Sequence, residues 1–144
     1  MLDEPWSRSY YFGPERRSGR YPLVLPESTS SAVEAGVPVL GVCFGHQLLA
    51  HAFGGRVGPN PRGREIGTVS VALTEGAAAD PLLAGFPARI DVHATHLESV
   101  LELPPGAELL ASSALDPHQA FRLPGRAVWG LQFHPELNAA ITRG

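Results

Sequence analysis

Lysine is absent from this sequence; all 11 of its basic residues are arginine. Arginine is not preferred over lysine at every surface position for physical reasons, so the bias reads as a property of the coding and not of the chemistry. Cysteine occurs once, at Cys43, which excludes an internal disulfide, and the expected compartment is the cytoplasm. No apolar run is long enough to span a bilayer, and no apolar signal core is present. Excess positive charge is lacking too: a net charge of −3 removes the electrostatic case for nucleic acid or a membrane surface as partner. What remains, 144 residues with 44% hydrophobic and 17% charged side chains, is the composition of one globular domain able to bury its own core.

Turn signals divide the chain into short elements. Residues 31–36 read as a helix C-terminus closed by Gly36, and residues 37–42 as a buried strand. Residues 44–53 read as a helix ending at Gly54-Gly55, with Leu48, Leu49, Ala52 and Phe53 facing the core. A loop at 59–64 precedes an alternating strand at 66–73, with Val69, Val71 and Leu73 on one face. Asp80 as N-cap, Pro81 at the first helical position and Gly85 at the end describe one short helix. Further strands are expected at 89–93, 99–103, 107–112, 119–123 and 127–133, between proline-rich turns. The order implies an α/β sheet with an antiparallel extension. Residues 6–30, with four arginines and no usable periodicity, read as irregular.

Two short stretches carry chemistry. In Gly41-Val42-Cys43-Phe44-Gly45-His46-Gln47, glycines stand two before and two after the cysteine, as a sharp strand-to-helix turn requires. Such a turn lifts the side chain into the open and sets its sulfur at a helix N-terminus, which favours thiolate. In Phe133-His134-Pro135-Glu136, proline keeps His134 extended, so the strand is expected to continue through it and to put His134 and Glu136 side by side. A carboxylate that orients an imidazole through one nitrogen leaves the other for a nucleophile. Alone, each residue has a plainer reading: a small buried hydrophobe, a hydrogen-bonded histidine, a solvated charge. Together they form a triad by role.

These two blocks resemble the signatures of class I glutamine amidotransferases, in particular the stand-alone, GMP synthase-like branch. Gly63-Arg-Glu-Ile-Gly67, Thr95-His-Leu-Glu-Ser99, the Leu103-Pro-Pro-Gly106 turn and Gln119-Ala-Phe121 resemble that branch as well, so the similarity covers about residues 31–136. The resemblance implies a flavodoxin-like, doubly wound and mostly parallel sheet. It implies Cys43 as nucleophile, His134 as base and Glu136 as its orienting partner, with Gln47, Thr95, His96 and Leu97 holding the amino-acid end of the substrate. By themselves His96 reads as a loop histidine and Gln47 as a helix surface residue. The implied reaction is hydrolysis of glutamine, or of another γ-glutamyl compound, through a thioester, giving glutamate and ammonia. Phe44 would supply one oxyanion N–H, and Gly13 is the sole candidate for the second. No metal or organic cofactor is implied; His93 and His96 lack a third ligand for a metal site. The implied partners are the substrate and a synthetase that accepts the ammonia.

The segment 1–30 does not resemble the family, whose first strands precede the second oxyanion loop. The expected division is therefore an irregular segment, 1–30, and a partial amidotransferase domain, 31–144. A reading frame truncated or mis-started upstream is the favoured account, and a compact variant with a substitute N-terminus is the other. A catalytically silent binding module with an incomplete oxyanion hole is the alternative function. A redox-sensing thiol is a third reading, which the strand-borne histidine disfavours.

Overall fold

A computed structural model describes residues 25–137 of the chain; Gly13 lies outside the described residues. The first element is a helix, α1 (Glu27–Glu34). It starts four residues inside the segment read as irregular, because serine and threonine dominate its sequence and Val33 is its only buried side chain. No apolar period announces such a helix. Its end lies at Gly36 as read, with Val37 N–H bonded to Ala32 O at 2.9 Å.

The buried run becomes β1 (Val39–Val42) and leads directly into α2 (Phe44–Ala52). β2 (Arg56–Pro59) follows, unannounced by sequence, then β3 (Glu65–Leu73). A single turn, α3 (Glu75–Ala78), precedes β4 (Arg89–His96), β5 (Glu98–Glu102), β6 (Glu108–Ser112), β7 (Ala120–Leu123) and β8 (Val128–Leu131). The helix expected over 80–85 is a turn. Asp80 does accept from the Leu82 and Leu83 N–H groups, at 2.8 and 3.3 Å, but the single turn it starts stops before a helix forms. β4 runs three residues further than expected and takes in His96, whereas β8 stops at Leu131, before the histidine it was expected to carry.

Six strands form one sheet in the order β1-β8-β7-β6-β3-β4, and β2 pairs with β5 separately. Among the described residues the parallel part is the β1–β8 pair, in register from Val39↔Val128 to Val42↔Leu131. The other four pairings are antiparallel. The class is α/β as read, with the antiparallel extension forming most of the described sheet. One face buries Val71, Leu83, Leu110, Leu131 and Phe133. The opposite face buries Leu49, Val100, Phe121 and Val128 with α1 and α2.

The sheet is curled enough that its far edge returns to its near one. His134 N–H donates to His93 O of β4 at 2.8 Å, although β4 and β8 are separated in the sheet by three strands. That closure brings the end of β4 against the turn that follows β8.

Candidate active site

Parallel pairing sets the C-terminal ends of β1 and β8 side by side, so the residue after one and the turn after the other become neighbours. Cys43 is the first residue beyond β1, and its N–H donates to Leu131 O at 2.7 Å. It has φ 53° and ψ −104°, and is the only non-glycine residue with positive φ among those described. That conformation costs of order 1–3 kcal/mol and persists only where surrounding structure enforces it. Gly41 makes the bend possible: a Cβ there would lie 2.5 Å from the backbone of Gly45 and 2.6 Å from Leu49. The expected crowding at Gly45 itself is not found. A Cβ at Gly45 would meet nothing within 4 Å, so the glycine requirement lies on the strand side of the turn alone.

The sulfur lies 3.9 Å from Thr95 O and 3.7 Å from Gln132 Nε2. Burial pushes the thiol pKa up, and the negative charge of Glu136 adds to this, while the Phe44 N–H and the Gln132 amide pull it down. The net shift is upward. The helix N-terminus therefore does not produce a thiolate by itself, as the sequence led one to expect; desolvation outweighs it.

His134 stands three residues beyond β8. Its Nδ1 is 2.6 Å from Glu136 Oε1, so the expected neighbours do meet. They meet through a turn, not an extended strand: Leu137 N–H bonds back to His134 O at 3.3 Å, with Pro135 in the second position that such turns favour. Although burial acts the other way, the hydrogen bond from His134 holds Glu136 below the usual carboxylate range. Both side chains remain open to solvent, His134 at 21% and Glu136 at 56% exposure.

The remaining candidates divide. Phe44 is the first residue of α2, and its backbone N–H adjoins the sulfur. Thr95 and Leu97 are both exposed, and of the two it is Thr95 whose carbonyl faces the elbow. Gln47 is buried, not on the helix surface, and its amide donates to Glu98 O at 2.8 Å and Gln132 Oε1 at 3.1 Å. Similarly, His96 is a buried strand residue and not a loop histidine. Its Nδ1 faces Glu98 O at 2.8 Å and its Nε2 faces Glu65 Oε1 at 2.9 Å. Burial works against a charge on this ring, but the acceptors at both nitrogens outweigh it and its pKa is raised. Glu65 is lowered in turn, because bonds from His96, Ser113 and Gln119 outweigh its burial. His93, three residues away on the same strand, points to the opposite face, so the two histidines do not converge.

Four residues of this site were not legible as such: Gln132, Glu65, Ser113 and Asp116, whose buried carboxylate lies 3.9 Å from His96 Nε2. Gln132 is fully buried between the apolar residues Leu131 and Phe133, and a polar residue inside an apolar strand run is the one signal that marks it. His46 also lies wholly buried under the elbow. Its Nε2 donates to His118 O at 2.9 Å, and burial pushes its pKa down to about 3. It fits only because Gly130 has no side chain, since a Cβ there would lie 2.5 Å from His46 Nδ1.

The model of the glutamine amidotransferase class-I family matches residues 14–142, beginning inside the segment that the sequence set apart. The glutamine-hydrolysing GMP synthase of Thermomicrobium roseum is 48% identical over 112 residues, 78% of this chain and 20% of that protein. One of the subunits of the glutamine-hydrolysing GMP synthase of Methanoregula boonei is 38% identical over 109 residues, 76% of this chain and 57% of that relative. Among solved structures, a glutamine amidotransferase from Thermotoga maritima matches with a TM-score of 0.74 at 28% identity, over 81% of this chain and 48% of that one. The chain spans less than two thirds of the length of each of these relatives. With the family match running through the elbow, the buried His96 cluster and the His134 turn, the chain belongs to the class-I glutamine amidotransferases.

Proposed function

We propose that the protein hydrolyses the side-chain amide of glutamine, or of a closely related γ-glutamyl compound, with Cys43 as nucleophile, His134 as base and Glu136 as its orienting partner. The observation that carries this reading is the strained elbow at Cys43, held against the end of the strand that leads to a His134–Glu136 pair. Strain at a single non-glycine residue, at the end of the strand paired with the one that leads to a histidine–carboxylate pair, is what a nucleophile requires and what packing does not.

Glu136 accepts from His134 Nδ1–H, which leaves Nε2 as the acceptor. Because the thiol is raised, it needs that base: His134 takes the Cys43 proton as the sulfur attacks the amide carbon. The oxyanion forms beside the Phe44 N–H at the start of α2. Its collapse expels ammonia, protonated by His134, and leaves a γ-glutamyl thioester. Water, deprotonated by the same imidazole, then releases glutamate and the free thiol. The names of the relatives, glutamine-hydrolysing GMP synthases, support a synthetase partner that takes up the ammonia. The same reading keeps the protein in the cytoplasm.

C43A is expected to abolish ammonia release from glutamine in an assay coupled to glutamate or ammonia detection. Retained release overturns the assignment. A glutamine-like chloroketone is expected to label Cys43, and failure to label a folded sample favours a silent binding module instead.

A further inference from the structure

We propose that Gln132 is a positioning residue for the Cys43 thiolate, locked in its useful orientation by a one-way chain of hydrogen bonds that starts at a backbone carbonyl of β5. The geometry stands without the functional reading; only its consequence for catalysis rests on Cys43 being the nucleophile.

A glutamine amide has a donating end and an accepting end, and which one meets a sulfur decides the sign of its effect. An N–H favours the thiolate, whereas a carbonyl oxygen opposes it. Glu98 O can only accept, so Gln47 must turn its amide nitrogen toward it, at 2.8 Å. The same nitrogen donates to Gln132 Oε1 at 3.1 Å. Gln132 Oε1 is thereby committed, and its Nε2 is left to face Cys43 Sγ at 3.7 Å. Flipping Gln132 would oppose two amide donors in a buried place, because Gln132 is wholly inaccessible and Gln47 nearly so. Polarity set by the backbone of β5 thus passes through α2 and the end of β8 to the sulfur.

Other charges around the elbow give this chain its task. The titratable and charged groups on the elements packed there are His134 and Glu136 beyond β8, His46 and His51 on α2, Arg89, Asp91, His93 and His96 on β4, Glu65 on β3, and Glu98 and Glu102 on β5. His46 is held neutral by burial, and His96 is paired with Glu65. Glu136 opposes the thiolate directly. The Gln132 amide, with the Phe44 N–H, is the counterweight to that carboxylate and to burial.

Cys43 is the only cysteine, so thiolate ultraviolet absorbance and alkylation by iodoacetamide report on it alone in the full chain. Q132M keeps the volume and removes the donor. It is expected to move the Cys43 titration up by about one pH unit, with about tenfold slower alkylation at a fixed pH below the midpoint. Q47M never touches the sulfur and adds no charge, but a methionine cannot present the amide nitrogen that holds Gln132 Oε1. Gln132 then turns over, and the titration is expected to rise as well, an effect that lost packing alone would not produce. In the unsubstituted protein, the Gln132 side-chain amide resonances are expected to shift as the thiol titrates. An unmoved or lowered titration in either folded variant, or amide resonances that stay put while the thiol titrates, overturns the proposal. None of these readouts needs substrate, so they fail separately from glutamine hydrolysis.

Discussion

Two histidine–glutamate pairs stand near the ends of β4 and β8, alike in chemistry and opposite in surroundings. His134 and Glu136 are joined at 2.6 Å with side chains 21% and 56% exposed, whereas His96 and Glu65 are joined at 2.9 Å and each is only 2% exposed. The bond lengths do not distinguish them; what is left over does. His134 spends Nδ1 on its carboxylate and keeps a nitrogen for chemistry. His96 spends both, one on Glu65 and one on Glu98 O, and Glu65 is tied further to Ser113 at 2.6 Å and to Gln119. A histidine with one nitrogen free suits the proposed base, and one with none suits a structural role. The second kind sits next to Thr95, whose carbonyl faces the Cys43 sulfur.

Substitution breaks the two pairs in different ways. H134N is expected to reduce turnover by about 10²–10⁴ while leaving the melting midpoint unchanged, as removal of a general base does. If H96N gives that loss in a fully folded protein instead, the two roles are exchanged. E65Q acts on the other side of the comparison. It leaves a buried imidazolium with only the more distant Asp116 carboxylate, 3.9 Å away, to offset it, and is expected to cost about 3–5 kcal/mol in urea unfolding at mildly acidic pH. A cost under about 1 kcal/mol, as for a surface pair, would place both pairs in one class. E136Q is expected to have the smallest effect on turnover, less than about tenfold, because an exposed carboxylate orients through a screened bond.

The buried pair also predicts its own pH dependence. Glu65 is held below its ordinary value of 4.5, so its contribution is complete above that value and is lost as acid protonates it. His96 is held above 6.5, so its contribution is complete below that value and is lost as rising pH deprotonates it. The stability deficit of E65Q, measured in urea across pH, is therefore expected to be greatest between those two values. A deficit independent of pH would mean that the pair is not ionised.

Much of the site was legible because it is local. The turn at Cys43 needs Gly41 within two residues, and His134 meets Glu136 within one turn of chain, so both arrangements are written in short stretches. Gln47 and His96 were misread when considered alone because their surroundings come from elsewhere: Glu98 on β5, Glu65 on β3 and Gln132 beyond β8. α1 escaped notice over residues 27–30 because one buried side chain leaves no periodic trace. β2 escaped for a related reason, since four residues with none buried show nothing to alternate.

By itself, the sequence determined the family, the turn that carries Cys43, the proposed nucleophile, and the pairing of Glu136 with His134, its proposed base. Each depends on residue type at short spacing, where chain geometry leaves little freedom. Only the tertiary structure decided the charge state around that nucleophile. Burial raises the Cys43 thiol, Glu136 raises it further, and Gln132 opposes both from a position fixed by α2 and β5. Desolvation and long-range hydrogen bonding are sums over neighbours that the chain brings together only when the sheet curls and β4 closes on the end of β8.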